Sequence, residues 1–139
     1  MQKIKTFPSK IKGRVKISGS KNASLSIVVA ALLNEGKTIL KNVPNISDIN
    51  KLLKIFKRIG IHYSSKRKVV IKGKLEYQEL LYQEIKEFRA SYYLMGLFLA
   101  LFKEVKIYAP GGCQIGQRPI NFHLSGFIEA GVEGHGTKN

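Results

Sequence analysis

Polar and apolar positions fall into a small number of blocks along the chain. Residues 14–18 alternate, which predicts a short strand, and Ser18-Gly19-Ser20 predicts a turn. Residues 21–33, KNASLSIVVAALL, are apolar on nearly every side after the first turn and predict a buried helix. Asn34-Glu35-Gly36 ends that helix, and residues 38–43 predict a strand stopped by Pro44. Residues 47–59 are plainly amphipathic. Ile49, Leu52, Leu53, Phe56 and Ile59 share one face, while Lys51, Lys54, Lys57 and Arg58 take the rest as a solvated face. Ser47 is the expected N-cap, Asp48 suits the positive end of the helix dipole, and Gly60 supplies the stop. Residues 61–63 and 68–72 predict a hairpin around the loop 64–67. Residues 75–88 are polar and ambiguous, with some helical character. Residues 89–102, RASYYLMGLFLALF, predict a second buried helix, and 105–108 a strand ending at Pro110. Residues 120–130 predict a helix with Ile120, Leu124, Phe127 and Ile128 on one face, ended by Gly131.

The blocks recur. Asn22-Ala23-Ser24 opens one buried helix, and Arg89-Ala90-Ser91 opens the other 67 residues later. Pro44 and Pro110, 66 residues apart, close the strands that follow. Each strand leads to an amphipathic helix that ends in Ile59-Gly60-Ile61 or Ala130-Gly131-Val132. A helix–strand–helix unit is thus present twice. Lys21 and Arg89 stand at the starts of the two buried helices. A cation there opposes the helix dipole. It suits an anion held jointly by the cation and the backbone N–H groups; a solvated surface cation is the other reading.

The second copy carries an insertion, APGGCQIGQRP at 109–119, with the chain's only cysteine. Gly111, Gly112 and Gly116 let backbone N–H groups approach a ligand closely. Pro119 suits the first turn of the helix that follows. Cys113, close to Arg118 and that helix start, is a candidate reactive thiol; a turn that happens to contain a cysteine is the plainer alternative.

Composition narrows the classes. At 139 residues the chain can bury one core. One cysteine excludes an internal disulfide, and nothing suggests an oxidising compartment. The basic start MQKIKTFPSK lacks the apolar stretch of a signal peptide, and the apolar run 92–102 is too short to span a bilayer. A cytoplasmic protein without membrane contact is expected. The net charge of +15 invites a nucleic-acid reading. Only five of the 24 basic residues are Arg, and the lysines run from Lys3 to Lys138 without a stripe or aromatic interleaving. Nucleic acid is therefore not the expected partner, whereas anionic small molecules would be attracted by the field.

SGSKNASL at 18–25, RASYYLMG at 89–96 and PGGCQIGQRPINFH at 110–123 resemble the N-terminal part of the enolpyruvyl transferases that act on UDP-N-acetylglucosamine. The three motifs stand in the family's order, and the resemblance runs from about Lys12 to Val132. It implies an α/β fold of repeated units, an inside-out barrel with helices inside, incomplete here. It also implies that residues 1–20 belong to the other domain, that 21–132 form a partial barrel domain, and that 133–139 are an unstructured tail. The implied reaction moves the enolpyruvyl group of phosphoenolpyruvate to the 3-hydroxyl of UDP-N-acetylglucosamine, the first committed step of peptidoglycan synthesis, with no cofactor or metal. By motif position, Lys21, Asn22 and Arg118 would bind phosphoenolpyruvate. Asn22, Arg89, Arg118, Pro119, Ile120, Asn121 and Phe122 would line the UDP-N-acetylglucosamine site. Cys113 would act as general acid and form a covalent adduct with phosphoenolpyruvate. Ser20 stands where the family usually has Ala, and Asn121 and Phe122 stand where it has an acidic residue and Leu. The family's enzymes are far longer, and their general base lies in the part that would follow Val132. A second domain or a complementary chain is accordingly an expected partner. A truncated remnant that binds without catalysing and a nucleic-acid module, the latter because RNA 3′-phosphate cyclases share the general fold, are the alternative expectations.

Overall fold

The computed structural model describes residues 3–64, 68–86, 89–108 and 120–134. The chain divides into two compact units, residues 1–76 and 77–139.

In the first unit, α1 (Lys21–Ala30) continues as a short 3-10 turn over Ala31–Leu33. Ser24, Leu25, Val28, Val29, Ala31 and Leu32 are buried, whereas Ile27 and Leu33 are half open to solvent. The buried stripe is narrower than apolar residues on every side suggested. β1 (Lys37–Lys41) follows, then α2 (Ser47–Arg58), β2 (His62–Ser64) and β3 (Lys68–Lys72). The expected hairpin is present: β2 pairs antiparallel with β3, Tyr63 opposite Ile71. β1 pairs antiparallel with the other edge of β3, Ile39 opposite Val70, so the sheet order is β1-β3-β2. Val69 and Ile71 turn into the core, which α2 completes with Ile49, Leu52, Leu53, Ile55 and Phe56. Ile55 lies outside the expected apolar face, and its burial shows that α2 is covered over a wider arc.

α2 starts one residue differently from the expectation. Ser47 is its first helical residue and Ile46 the cap, because the Asn50 N–H donates to the Ile46 carbonyl at 3.1 Å. The Ser47 hydroxyl does not cap the helix; it donates to Asp48 Oδ1 at 3.5 Å. Gly60 takes φ +83°. The Ile61 N–H reaches the Phe56 carbonyl at 2.9 Å and the Gly60 N–H the Lys57 carbonyl at 3.3 Å, a Schellman closure.

The strand expected over 14–18 is not formed. Among the described residues no backbone pairs with it, and Val15 and Ile17 are 86% and 80% exposed. Alternation alone does not make a strand without a partner edge.

In the second unit, α3 (Tyr82–Lys86) gives the ambiguous segment its helical part. A 3-10 turn over Arg89–Tyr92 leads into α4 (Tyr93–Phe102), which buries Leu94, Met95, Leu97 and Phe98. Tyr77, Phe98 and Phe102 meet edge to face at 5.4–6.0 Å. The strand expected over 105–108 is also absent. β1 owes its existence to β3, and no equivalent edge occurs among the described residues of this unit. α5 (Asn121–Glu129) forms where expected, yet none of its residues is buried: Leu124 is 43% and Ile128 61% exposed. Of its apolar face, Phe127 is half-buried beside Gly96 of α4, while Leu124 and Ile128 stay exposed.

The repeat is visible in the folded chain. α5 ends on Gly131 at φ +87°, with the Val132 N–H on the Phe127 carbonyl and the Gly131 N–H on that of Ile128, both at 2.9 Å, the same closure as at Gly60. Ser24 and Ser91, 67 positions apart, are the two buried polar residues among those described.

Candidate functional site

The approach to α1 is built by one close contact. The Gly19 N–H donates to the Asn42 carbonyl at 3.1 Å, and a Cβ on Gly19 would stand 2.2 Å from that oxygen. Only glycine fits there. Asn42, just past β1, takes φ +59°, a conformation Asn tolerates better than most residues. The end of β1 thereby fixes where α1 begins. Ser20 is the N-cap, its Oγ accepting from the Ala23 N–H at 3.5 Å. Lys21 and Asn22 are the first two helical residues, and both are exposed.

Lys21 meets an anion of its own chain. Its Nζ lies 2.5 Å from Asp48 Oδ2 in the first turn of α2, with the two side chains 57% and 23% exposed. The starts of two helices therefore converge on one ion pair. Sequence reasoning assigned Asp48 to the dipole of α2 alone and missed the pairing. The available signal was weak: an acidic residue opening the helix after the one that Lys21 opens.

In the second unit a different cluster forms. The Arg89 guanidinium lies over the Tyr92 ring at 5.6 Å. Tyr92 in turn meets Tyr93 at 4.6 Å and His123 of α5 at 4.7 Å between ring centroids. Hydrogen bonding with Tyr92 holds the Tyr93 phenol above its ordinary range, with burial and the neighbouring phenol's charge adding in the same direction. Ile120 is half-buried and caps α5, its carbonyl accepting from the His123 and Leu124 N–H groups at 2.9 and 3.1 Å. Asn121 is exposed, and Phe122 is 92% exposed. Arg89 and the 120–122 segment thus share a neighbourhood through Tyr92 and His123, two residues the sequence reading did not single out. Cys113, Arg118 and Pro119 lie outside the described residues, as does the rest of the 109–119 insertion.

Lys21 offers charge and exposed backbone at a helix start, which suits a compact anion. The Arg89–Tyr92–His123 group offers a cation, stacked rings and an imidazole, which suits a larger polar molecule with a flat or charged part. Among the described residues no helix is long and apolar enough to cross a membrane.

Nearly the whole chain is similar to known proteins. The chain is 42% identical over 125 residues to a UDP-N-acetylglucosamine 1-carboxyvinyltransferase of Prochlorococcus marinus, covering 88% of this chain and 27% of the relative. The protein of the same name from Elusimicrobium minutum is 42% identical over 127 residues, covering 90% and 30%. That from Pelagibacter ubique is 38% identical over 136 residues, covering 96% and 33%. The chain spans about a third of the length of the relatives it matches. A family described as EPSP synthase (3-phosphoshikimate 1-carboxyvinyltransferase) matches residues 5–139, and the chain belongs to that family of carboxyvinyl transferases.

Proposed function

We propose that this chain supplies the donor-binding residues and the reactive thiol of a transferase that moves the enolpyruvyl group of phosphoenolpyruvate to UDP-N-acetylglucosamine. The observation that carries the reading is Lys21. It stands exposed at the start of α1 within SGSKNASL, in a chain 42% identical to relatives named for this reaction. The chemistry asks for what the motifs contain. The 3-hydroxyl of the sugar adds to C2 of phosphoenolpyruvate while C3 takes a proton. Loss of a proton from C3 then expels phosphate and restores the double bond. Lys21, Asn22 and Arg118 are assigned to the phosphate and carboxylate of the donor, where fixed cations stabilise the charge that develops. Arg89 and residues 119–122 are assigned to the nucleotide-sugar. Cys113 is assigned the proton for C3, and its thiol adds across the donor's double bond to give the adduct. The assignments of Cys113, Arg118 and Pro119 rest on the motif alone.

The barrel with helices inside, the division into residues 1–20, 21–132 and 133–139, and a cytoplasmic location belong to this same reading. So does the need for more protein than these residues. Asp48 is paired with Lys21, and Glu129 and Glu133 lie in no motif that would set a carboxylate against the thiol. A base and an opposing surface to exclude water are assigned to a further domain or a complementary chain.

Two measurements on the purified chain test the reading. Alkylation of Cys113 should slow when phosphoenolpyruvate and UDP-N-acetylglucosamine are both present, and an unaltered rate contradicts the site. Phosphate release with both substrates should stay at background. Turnover that disappears in Cys113→Ala would show that these residues suffice and that no further domain is needed.

A further inference from the structure

The contact between Lys21 and Asp48 has the features of an arranged pair. Asp48 is oriented through both carboxylate oxygens: Oδ1 accepts from the Ser47 hydroxyl at 3.5 Å, and Oδ2 meets Lys21 Nζ at 2.5 Å. Its backbone is held in the first turn of α2, where Asn50 Nδ2 donates to Asn45 Oδ1 at 3.1 Å. The backbone of Lys21 is fixed by the Gly19–Asn42 contact two residues earlier. An ammonium has three donors, and Asp48 occupies one of its directions. The side chain of Lys21 remains 57% exposed, so its outer side is open to a second anion.

We propose that Asp48 is a positioning residue for the donor site: it holds the Lys21 ammonium at the N-terminus of α1, so that the phosphate of the donor meets a cation already in place. The inference rests on the reading of Lys21 as a donor-binding residue. Two effects of the carboxylate oppose each other. It repels an incoming phosphate, and it removes the rotamer freedom of a long side chain before binding. The repulsion is blunted, because the N-terminal end of α2 carries about half a positive charge beside Asp48 and Ser47 donates to it as well. The loss of lysine rotamer freedom is substantial when the ligand itself must fix the chain. Anchoring therefore dominates, and removal of the carboxylate weakens anion binding.

The test is a titration of the 139-residue chain with phosphoenolpyruvate and, separately, inorganic phosphate, read from the amide NMR signals of residues 19–23. The wild-type chain should show saturable shifts. Asp48→Asn should weaken binding roughly threefold to tenfold, the scale of a partly exposed ion pair plus one freed side chain. Asp48→Glu, which keeps the carboxylate, should recover part of the loss. The melting temperature of Asp48→Asn should stay close to that of the wild-type chain, because a partly exposed pair contributes only about 1 kcal/mol, whereas a purely structural role would lower it together with binding. If Asp48→Asn does not fold, Asp48→Ser, a residue suited to a helix start, carries the same comparison. Unchanged or tighter binding in the Asp48 variants, beside intact wild-type binding, overturns the positioning role alone. Absence of wild-type binding to either probe overturns the donor site, and the positioning role falls with it.

Discussion

Replacing Gly19 with Ala should damage both the fold and the site, by amounts the geometry sets. The new Cβ would lie 2.2 Å from the Asn42 carbonyl oxygen and 3.3 Å from its carbon. Both are backbone atoms, so no flexible side chain can swing away. One of the two segments must move by more than half an ångström, and the 3.1 Å hydrogen bond between them is lengthened or lost. Overpacking of this kind costs about 1–3 kcal/mol, and the lost bond adds about 0.5–1.5 kcal/mol. The sum is roughly 2–4 kcal/mol, a large share of the stability of a small domain. Urea denaturation followed by far-UV circular dichroism measures it: with a slope near 2 kcal/mol/M the midpoint should fall by about 1–2 M. Gly126→Ala is the matched control. Gly126 is in α5 with nothing within 4 Å of its added Cβ, so this change should raise helix stability by about 0.5–1 kcal/mol. Gly19→Ala should also weaken phosphoenolpyruvate binding, because Lys21 follows two residues later. A Gly19→Ala chain with an unchanged midpoint and unchanged binding would refute the claim that this contact sets the start of α1.

Further outcomes follow from single contacts. Ser91→Ala removes a buried hydroxyl that donates to the Ile85 carbonyl at 3.0 Å, and loss of that bond should cost about 0.5–1.5 kcal/mol in the same denaturation assay. Lys37→Glu replaces one of two lysines directly opposed across β1 and β3, Lys37 against Lys72, and should raise the melting temperature at low salt with a gain that fades in high salt. Tyr93 should be the late step in an ultraviolet phenol titration, above the usual tyrosine range, and Tyr93→Phe should remove that step. Because its folded value is raised, its contribution to stability is complete below the unfolded value near 10 and is lost as pH climbs through the folded one.

Periodicity located the helices because each is fixed mainly by its own residues. α2 carries its buried face, its acidic first turn and its glycine stop within one stretch, and all three are realised. Strands depend on partners far along the chain. The hairpin of β2 and β3 was legible from its short loop, but the place of β1 on the far edge of β3 was not, because nothing local in 37–41 specifies the register with 68–72. The strands expected over 14–18 and 105–108 failed for the same reason: alternation supplies a face but no edge to pair with. Motif resemblance singled out Lys21, Asn22 and Arg89 on the chain, and the structure sets each at a helix start within its own unit. Asp48, Tyr92 and His123 were overlooked because their partners come from other elements, and Asp48 already had a sufficient local role at the start of α2.

The central claim is that Lys21 makes the start of α1 a phosphate site for the enolpyruvyl donor. Isothermal calorimetry of phosphoenolpyruvate into the wild-type chain and into Lys21→Met, with both melting curves recorded, tests it most directly. The pair joins an exposed Lys21 to a half-buried Asp48 and should contribute only about 1 kcal/mol to stability, so the two melting curves should lie close together. The account predicts saturable binding to the wild-type chain that Lys21→Met abolishes. Equal binding by both chains, or a Lys21→Met chain that loses binding only because it no longer folds, would contradict it.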